Sequence, residues 1–290
     1  LDGLPEDVVV QTVSAEADLR EALPHADVLV VTDFRTGLLE RCWPAEPKLK
    51  WVHATSAGVD ALLFPALTES AIAITNAKGI FDRGIAEYVL GAVLLFAKDS
   101  LGNLALQHRD TEMISQRRAL IVGAGSIGGE VACLLKAVGM QVTGIARRAR
   151  EDIRFDAVLG NDCLYECLGV ADYVVITAPL TEDTQGLFDQ RAFAAMKAGA
   201  RLINVGRGPI VKTDALLAAL QSGHLAGAAL DVFEQEPLPE GHPLWDQANV
   251  MISAHMAGDF IGWQTALGEQ FVANFQGWQQ GQALFNQVKK

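Results

Sequence analysis

Cysteine is scarce in this chain: Cys42, Cys133, Cys163 and Cys167 are the only four in 290 residues, and no two of them form a CxxC pair. That spacing fits neither a zinc site nor a disulfide framework, so they read as reduced, buried thiols of a cytoplasmic protein, and no metal is expected. Long apolar runs are missing too. The longest, YVLGAVLLFA, is far shorter than a membrane helix requires, and LDGLPEDVVV at the start has no basic segment leading into an apolar core. Positive charge is in deficit, with 23 Lys and Arg against 35 Asp and Glu and a net charge of -12. A phosphate backbone or an anionic membrane is therefore not expected as a partner. Any anionic substrate must meet a locally positive pocket.

What is present points to an α/β protein. At 290 residues, half of them hydrophobic, the chain suits two domains of ordinary size. Short β-branched runs recur with helix-compatible segments between them: VVVQTV at 8–13, DVLVV at 27–31, LKWVHA at 49–54 and AIAIT at 71–75. A long helical pattern, DRGIAEYVLGAVLLFAK, fills 82–98, and the alternation then restarts through ALIVG, QVTGI, YVVIT, RLINV, AGAALDV and VMISA. This predicts two doubly wound parallel sheets. The first domain is expected to end near residue 98, and an aromatic-rich segment from about Gly262 to Gly277 to return and complete it. The predicted organisation is thus 1–98 plus 261–290 as a discontinuous substrate-binding domain, and 99–260 as a dinucleotide-binding domain.

GAGSIG, at Gly123–Gly128, follows the strand ALIV and precedes the helix-compatible GEVACLLKAV. In that setting GxGxxG is a phosphate-binding turn: Gly123 permits the tight turn, Gly125 lets the backbone approach a pyrophosphate, and Gly128 allows helix-to-strand packing. The amides of Ser126 and Ile127 then face the anion.

Ligands of open parallel sheets bind beyond the carboxyl ends of the strands. Three polar residues stand there: Arg207 after RLINVG, Glu236 in AGAALDVFEQEP, and His255 after VMISA. Each has an ordinary structural explanation alone. Together they can serve one reaction, with Arg207 gripping a carboxylate, His255 exchanging a proton with a carbonyl or hydroxyl oxygen, and Glu236 orienting the imidazole.

These stretches resemble the D-isomer-specific 2-hydroxyacid dehydrogenase family, and the likeness runs from WVHATSAGVD at 51–60 through ISAHMAG. It implies a Rossmann dinucleotide-binding domain inserted into a flavodoxin-like substrate domain, and hydride transfer between nicotinamide and C2 of a small 2-oxo or 2-hydroxy acid. It implies Arg207, Glu236 and His255 as the catalytic trio. Asp231 is implied to anchor the nicotinamide carboxamide, Pro179, Thr184, Val205 and Gly206 to contact the cofactor, and the main chain at Ala57 and Gly58 to help Arg207 hold the substrate. The likeness, with the apolar excess of the 82–98 helix, also predicts a homodimer. A dinucleotide-sensing binding protein without turnover shares this fold and trio and is the alternative. A 3-phosphoglycerate dehydrogenase is a third reading, disfavoured because no room for a regulatory domain is expected.

At the end of VTGIA, where an NAD enzyme places an acid on the ribose, stands Ala146, followed by Arg147 and Arg148. This predicts NADP as the cofactor, with NAD the alternative. Two departures from the family are visible. Ala254 occupies the position of a usual proline, which predicts a looser loop at His255, and QHRDTEMISQRRA lacks a tryptophan often found there. His53, in WVHATS, is a further candidate for the substrate cleft.

Overall fold

The computed structural model describes residues 3–32, 37–98 and 111–290. The first four residues of QHRDTEMISQRRA lie outside them. The chain divides into two compact units, Leu1–Phe81 with Phe260–Lys290, and Asp82–Asp259.

The first unit holds a parallel sheet ordered β1-β2-β3, with β1 Val28–Val31, β2 Trp51–Ala54 and β3 Ala73–Asn76. Helices α1 (Glu16–Ala22), α2 (Leu38–Arg41) and α3 (Pro65–Thr68) belong to it. Leu39, Val52, Leu67 and Ile74 are among the residues of one apolar cluster, and Trp51 is in another with Phe271, Val272 and Phe275 of the C-terminal helix. Trp51 stacks on Phe271 at 5.2 Å. Sequence neighbours Trp51 and Val52 point to opposite faces, as a strand requires, so both faces are covered only when the two ends of the chain meet.

VVVQTV, predicted as a strand, is not one. Val9 is 93% exposed and Val10 57%, and no strand pairs with 8–13 among the described residues. Without a neighbour to take its amides, β propensity alone does not make a strand.

The second unit carries seven parallel strands in the order β10-β9-β8-β7-β4-β5-β6. They are β4 Arg118–Val122, β5 Gln141–Ala146, β6 Ala157–Gly160, β7 Tyr173–Ile176, β8 Ala200–Asn204, β9 Leu225–Leu230 and β10 Val250–Ile252. The four-residue β6 escaped the sequence reading because its run, AVLG, is short and sits at the sheet edge. Chain order reverses between β4 and β7, which makes the carboxyl end of β4 a topological switch point.

The helices of this unit are α4 (Asp82–Ala97), α5 (Ser126–Ala137), α6 (Leu164–Leu168), α7 (Gln190–Ala195) and α8 (Thr213–Gln221), while the C-terminal helix of the first unit is α9 (Trp263–Gln279). Helix α4 packs along α5, so the boundary falls at Phe81/Asp82 rather than near residue 98. Its Ile85, Val89, Val93 and Phe96 are buried, and among its apolar side chains only Leu94 is exposed, at 39%. The apolar excess that suggested a dimer is thus taken up within the second unit, and that expectation rests on the family likeness alone.

The cysteines are not all buried: Cys42 is, Cys133 is exposed, and Cys163 and Cys167 are half-buried, all four as free thiols. No helix among the described residues is long and apolar enough to cross a membrane.

His53 lies in the core of the first unit, 1% exposed, because β2 is the central strand. Its Nδ1 is 2.8 Å from the Thr75 hydroxyl, and its buried Nε2 has no partner among the described residues. Burial lowers its pKa from 6.5 to about 4. The unfolded chain therefore binds a proton that the folded one refuses, and stability is lost as pH falls from about 6.5 towards 4. We expect wild type to lose about 2 kcal/mol more than His53→Gln between pH 7 and pH 5 in urea unfolding. Equal losses in the two proteins would show that another group is responsible.

Candidate active site

The glycine turn is shaped by close contacts. Gly123 has φ +112, and a Cβ there would overlap the backbone of Ala178; one at Gly128 would overlap the Gly123 carbonyl. A Cβ on Gly125 would meet nothing within 4 Å, so only there does the main chain face open space. Immediately beyond it α5 begins at Ser126. The first-turn amides of a helix lack intrahelical acceptors and carry the positive end of its dipole, so this cradle fits a dinucleotide pyrophosphate. The Ser126 hydroxyl itself donates to the Asp82 carboxylate. Thr177, missed in the sequence although it stands just after YVVI, donates to the Gly123 carbonyl at 2.7 Å and ties β7 to the turn. Of the remaining predicted contacts, Thr184 donates to the Pro179 carbonyl at 2.7 Å, while Val205 is buried beside Gly206, where a Cβ would lie 2.9 Å from the Ala178 oxygen.

Arg147 and Arg148 follow β5 and, with Ala149 and Arg150, line a depression of about 470 Å³. Arg150, absent from the sequence-based candidates, reaches back to donate to the Ala124 carbonyl in the glycine turn. The neighbouring acid, Asp152, is occupied: Arg154 holds it with two hydrogen bonds, of 2.9 and 2.7 Å, which lower its pKa. Among the described residues Arg147 and Arg148 have no carboxylate partner. The overall negative charge of the chain is reversed locally at this loop.

The three strand-end residues follow adjacent strands, β8, β9 and β10. Asn204, the last residue of β8, is buried; its Oδ1 accepts from the Gly206 amide at 3.1 Å and its Nδ2 donates to the Arg207 carbonyl at 3.2 Å. That fixes the loop carrying Arg207. A Cβ at Gly208 would overlap the Phe233 carbonyl, so glycine is what lets the loop after β8 lie against the one after β9. Glu236 accepts from the Phe233 amide at 3.1 Å through one oxygen, and its other oxygen is 2.8 Å from His255 Nδ1. Carboxylate and imidazole are each about four-fifths buried, at 21% and 22% side-chain exposure.

His255 has φ 55, and its amide donates to the Asp231 carbonyl at 2.9 Å. Asp231, 2% exposed, accepts from the Ser253 hydroxyl at 2.5 Å and from the amides of Met256 and Ala257, each at 2.9 Å. The looser loop predicted from Ala254 is not what the structure shows: Asp231 grips it on both sides of His255. A carboxylate has about four acceptor positions, so these three bonds leave one.

A chain with a dinucleotide cradle and a carboxylate-held imidazole in one sheet matches a family model described as D-isomer specific 2-hydroxyacid dehydrogenase, NAD binding domain, over residues 99–257. The chain belongs to that family. A D-isomer specific 2-hydroxyacid dehydrogenase family protein from Klebsiella pneumoniae 342 is 36% identical, with a TM-score of 0.82 over 92% of this chain and 86% of its own. The D-isomer specific 2-hydroxyacid dehydrogenase of Xanthobacter autotrophicus Py2, solved in complex with NADPH and MES, is 33% identical, with a TM-score of 0.77 over 91% and 85%. The glyoxylate reductase of Thermofilum pendens is 32% identical over 79% of this chain and 72% of its own length. These relatives support an enzyme over the binding-protein alternative.

In this dehydrogenase Glu236 fixes the Nδ1 side of the His255 ring, at 2.8 Å. Ala57 and Gly58 lie in the first unit, after β2. Their carbonyls accept from Asn76 Nδ2 and from the Ser56 hydroxyl, both at 2.6 Å, which holds that loop in shape.

Proposed function

We propose that this dehydrogenase reduces small 2-oxo acids to 2-hydroxy acids with NADPH. The observation that carries the reading is the Glu236–His255 pair at 2.8 Å, set at the carboxyl end of the sheet that also forms the glycine cradle. A bound reduced nicotinamide supplies the hydride to C2. His255 Nε2 gives its proton to the C2 oxygen and regains one from solvent between turnovers. Glu236 keeps the ring oriented and balances the imidazolium. Arg207 holds the substrate carboxylate and polarises the carbonyl. Asp231 uses its remaining acceptor position for the nicotinamide carboxamide, while Pro179, Thr184, Val205 and Gly206 border the cofactor.

Preference for NADPH rests on Arg147 and Arg148, which have no acid partner among the described residues and stand where an NAD enzyme carries a carboxylate. A 2′-phosphate in that depression gains charge-assisted hydrogen bonds, each worth about 1.5–3 kcal/mol. The NADPH complex of the Xanthobacter protein shows that a member of this family accepts the phosphorylated cofactor.

The test is oxidation of NADPH and of NADH with glyoxylate, hydroxypyruvate, pyruvate and phenylpyruvate. We expect kcat/KM for NADPH to exceed that for NADH by about 10-fold or more, and Arg147→Ala with Arg148→Ala to erase the difference. An equal or higher kcat/KM with NADH, or a ratio unmoved in the double variant, removes the phosphate assignment. No turnover of any 2-oxo acid with either cofactor removes the reductase reading.

A further inference from the structure

His255 is a non-glycine residue in the left-handed region, at φ 55, a conformation that persists only where its surroundings impose it. The residue before it is Ala254, which leaves that torsion unrestricted, so the constraint must come from contacts. Beside the Ser253 amide on the Leu230 carbonyl, three main-chain contacts run to Asp231: its carbonyl takes the His255 amide, and its carboxylate takes the Met256 and Ala257 amides. The aim of the imidazole at Glu236 therefore depends on how the Asp231 carboxylate is turned.

A carboxylate rotates about its Cβ–Cγ bond, and a third contact resists that rotation. Ser253 supplies it through a 2.5 Å hydrogen bond to Oδ1, the oxygen that also accepts from Met256. A hydroxyl has one proton, and that of Ser253 is committed to Asp231. The Tyr88 hydroxyl, 2.7 Å from Ser253 Oγ, must then be the donor in that pair. Tyr88 comes from α4, which packs along α5. Burial raises its pKa, with the nearby Asp231 charge acting in the same direction, so it remains a protonated donor at neutral pH. The direction of every proton in the chain is determined: Tyr88 to Ser253, Ser253 to Asp231.

We propose that Tyr88 is a positioning residue for proton transfer. Through Ser253 it sets the Asp231 carboxylate, and through that carboxylate the 253–257 loop that aims His255 at Glu236. The proposal rests on the reading of His255 as the proton carrier. It gives α4 a role in the reaction besides its packing.

The experiment compares Tyr88→Phe, Ser253→Ala, the double variant and His255→Ala with wild type, using NADPH and the best 2-oxo acid of the panel. Tyr88→Phe removes only an oxygen. It is expected to lower kcat by about 10-fold while the melting temperature stays near wild type, because misaiming a reacting group affects the chemical step. Since both hydroxyls act on one carboxylate, the double variant should lose no more than Ser253→Ala alone. Wild-type kcat in Tyr88→Phe, a loss confined to KM, or strictly additive losses overturns the proposal. If Tyr88→Phe does not fold, kcat of Ser253→Ala decides in its place, a wild-type value overturning the proposal. An active His255→Ala instead overturns the underlying reading, so the two failures are told apart.

Discussion

His255→Ala is expected to lower the maximal rate of 2-oxo acid reduction by about 100-fold or more, the scale of losing a positioned general acid. NADPH binding should persist, because the glycine cradle and the arginine loop lie after β4 and β5, whereas His255 follows β10. Reduction consumes a proton, and alanine has no group to deliver it to the substrate oxygen. Glu236→Gln should retain the hydrogen bond to Nδ1 while removing the charge that balances the imidazolium, and so reproduce part of the loss. Steady-state kinetics, with cofactor binding followed by fluorescence titration, check both halves. A His255→Ala enzyme that keeps its rate would end the proton-carrier assignment.

Arg207→Lys is expected to reduce kcat/KM for 2-oxo acids by about 100-fold, from the loss of a charge-assisted two-point grip worth about 1.5–3 kcal/mol per bond. The Arg207 loop is built for one geometry: Asn204 fixes it at both Gly206 and Arg207, and Gly208 lets it rest on Phe233. One guanidinium nitrogen, Nη1, donates to the Gly206 carbonyl at 2.9 Å, which orients the planar fork. An ammonium on a flexible stem keeps the charge but not the fork. The deficit should therefore appear in both KM and kcat, and should shrink for a ketone substrate with no carboxylate, which wild type handles as poorly as the variant. Unchanged kinetics with the 2-oxo acids would exclude Arg207 from the site.

The parts of this protein that were legible in its sequence are those whose physics is local. GAGSIG reads as a phosphate turn because a strand precedes it, a helix follows, and each glycine meets a steric demand within a few residues of chain. The strand-end positions of Arg207, Glu236 and His255 were legible for the same reason, since parallel βα units put the residue after each strand at one edge of the sheet. Contacts that depend on distant segments were not. Nothing near Tyr88 in AEYVLG signals that its hydroxyl meets Ser253, 165 positions away. Asp152 and Arg154 look as available for a ligand as Arg147 and Arg148 until the structure shows them paired.

Some sequence signals were also overruled. VVVQTV has the composition of a strand, but a strand exists only when a neighbour takes its amides, and that depends on which segments come together. The helix at 82–98 looked like part of the first domain with apolar surface to spare; its membership was decided by the fit of its buried face along α5. His53, a lesser candidate for the substrate cleft, is a core residue, because β2 became the central strand of its sheet. The sequence by itself determined the parallel α/β architecture, the glycine turn between strand and helix, and the strand-end positions of Arg207, Glu236 and His255, since hydrophobic period and glycine sterics are properties of short stretches. Only the tertiary structure decided where the units divide, which ionisable groups are paired or buried, and that Asp231 holds the loop of His255. Those outcomes depend on side chains far apart in sequence reaching hydrogen-bond distance, and no short stretch of sequence encodes that.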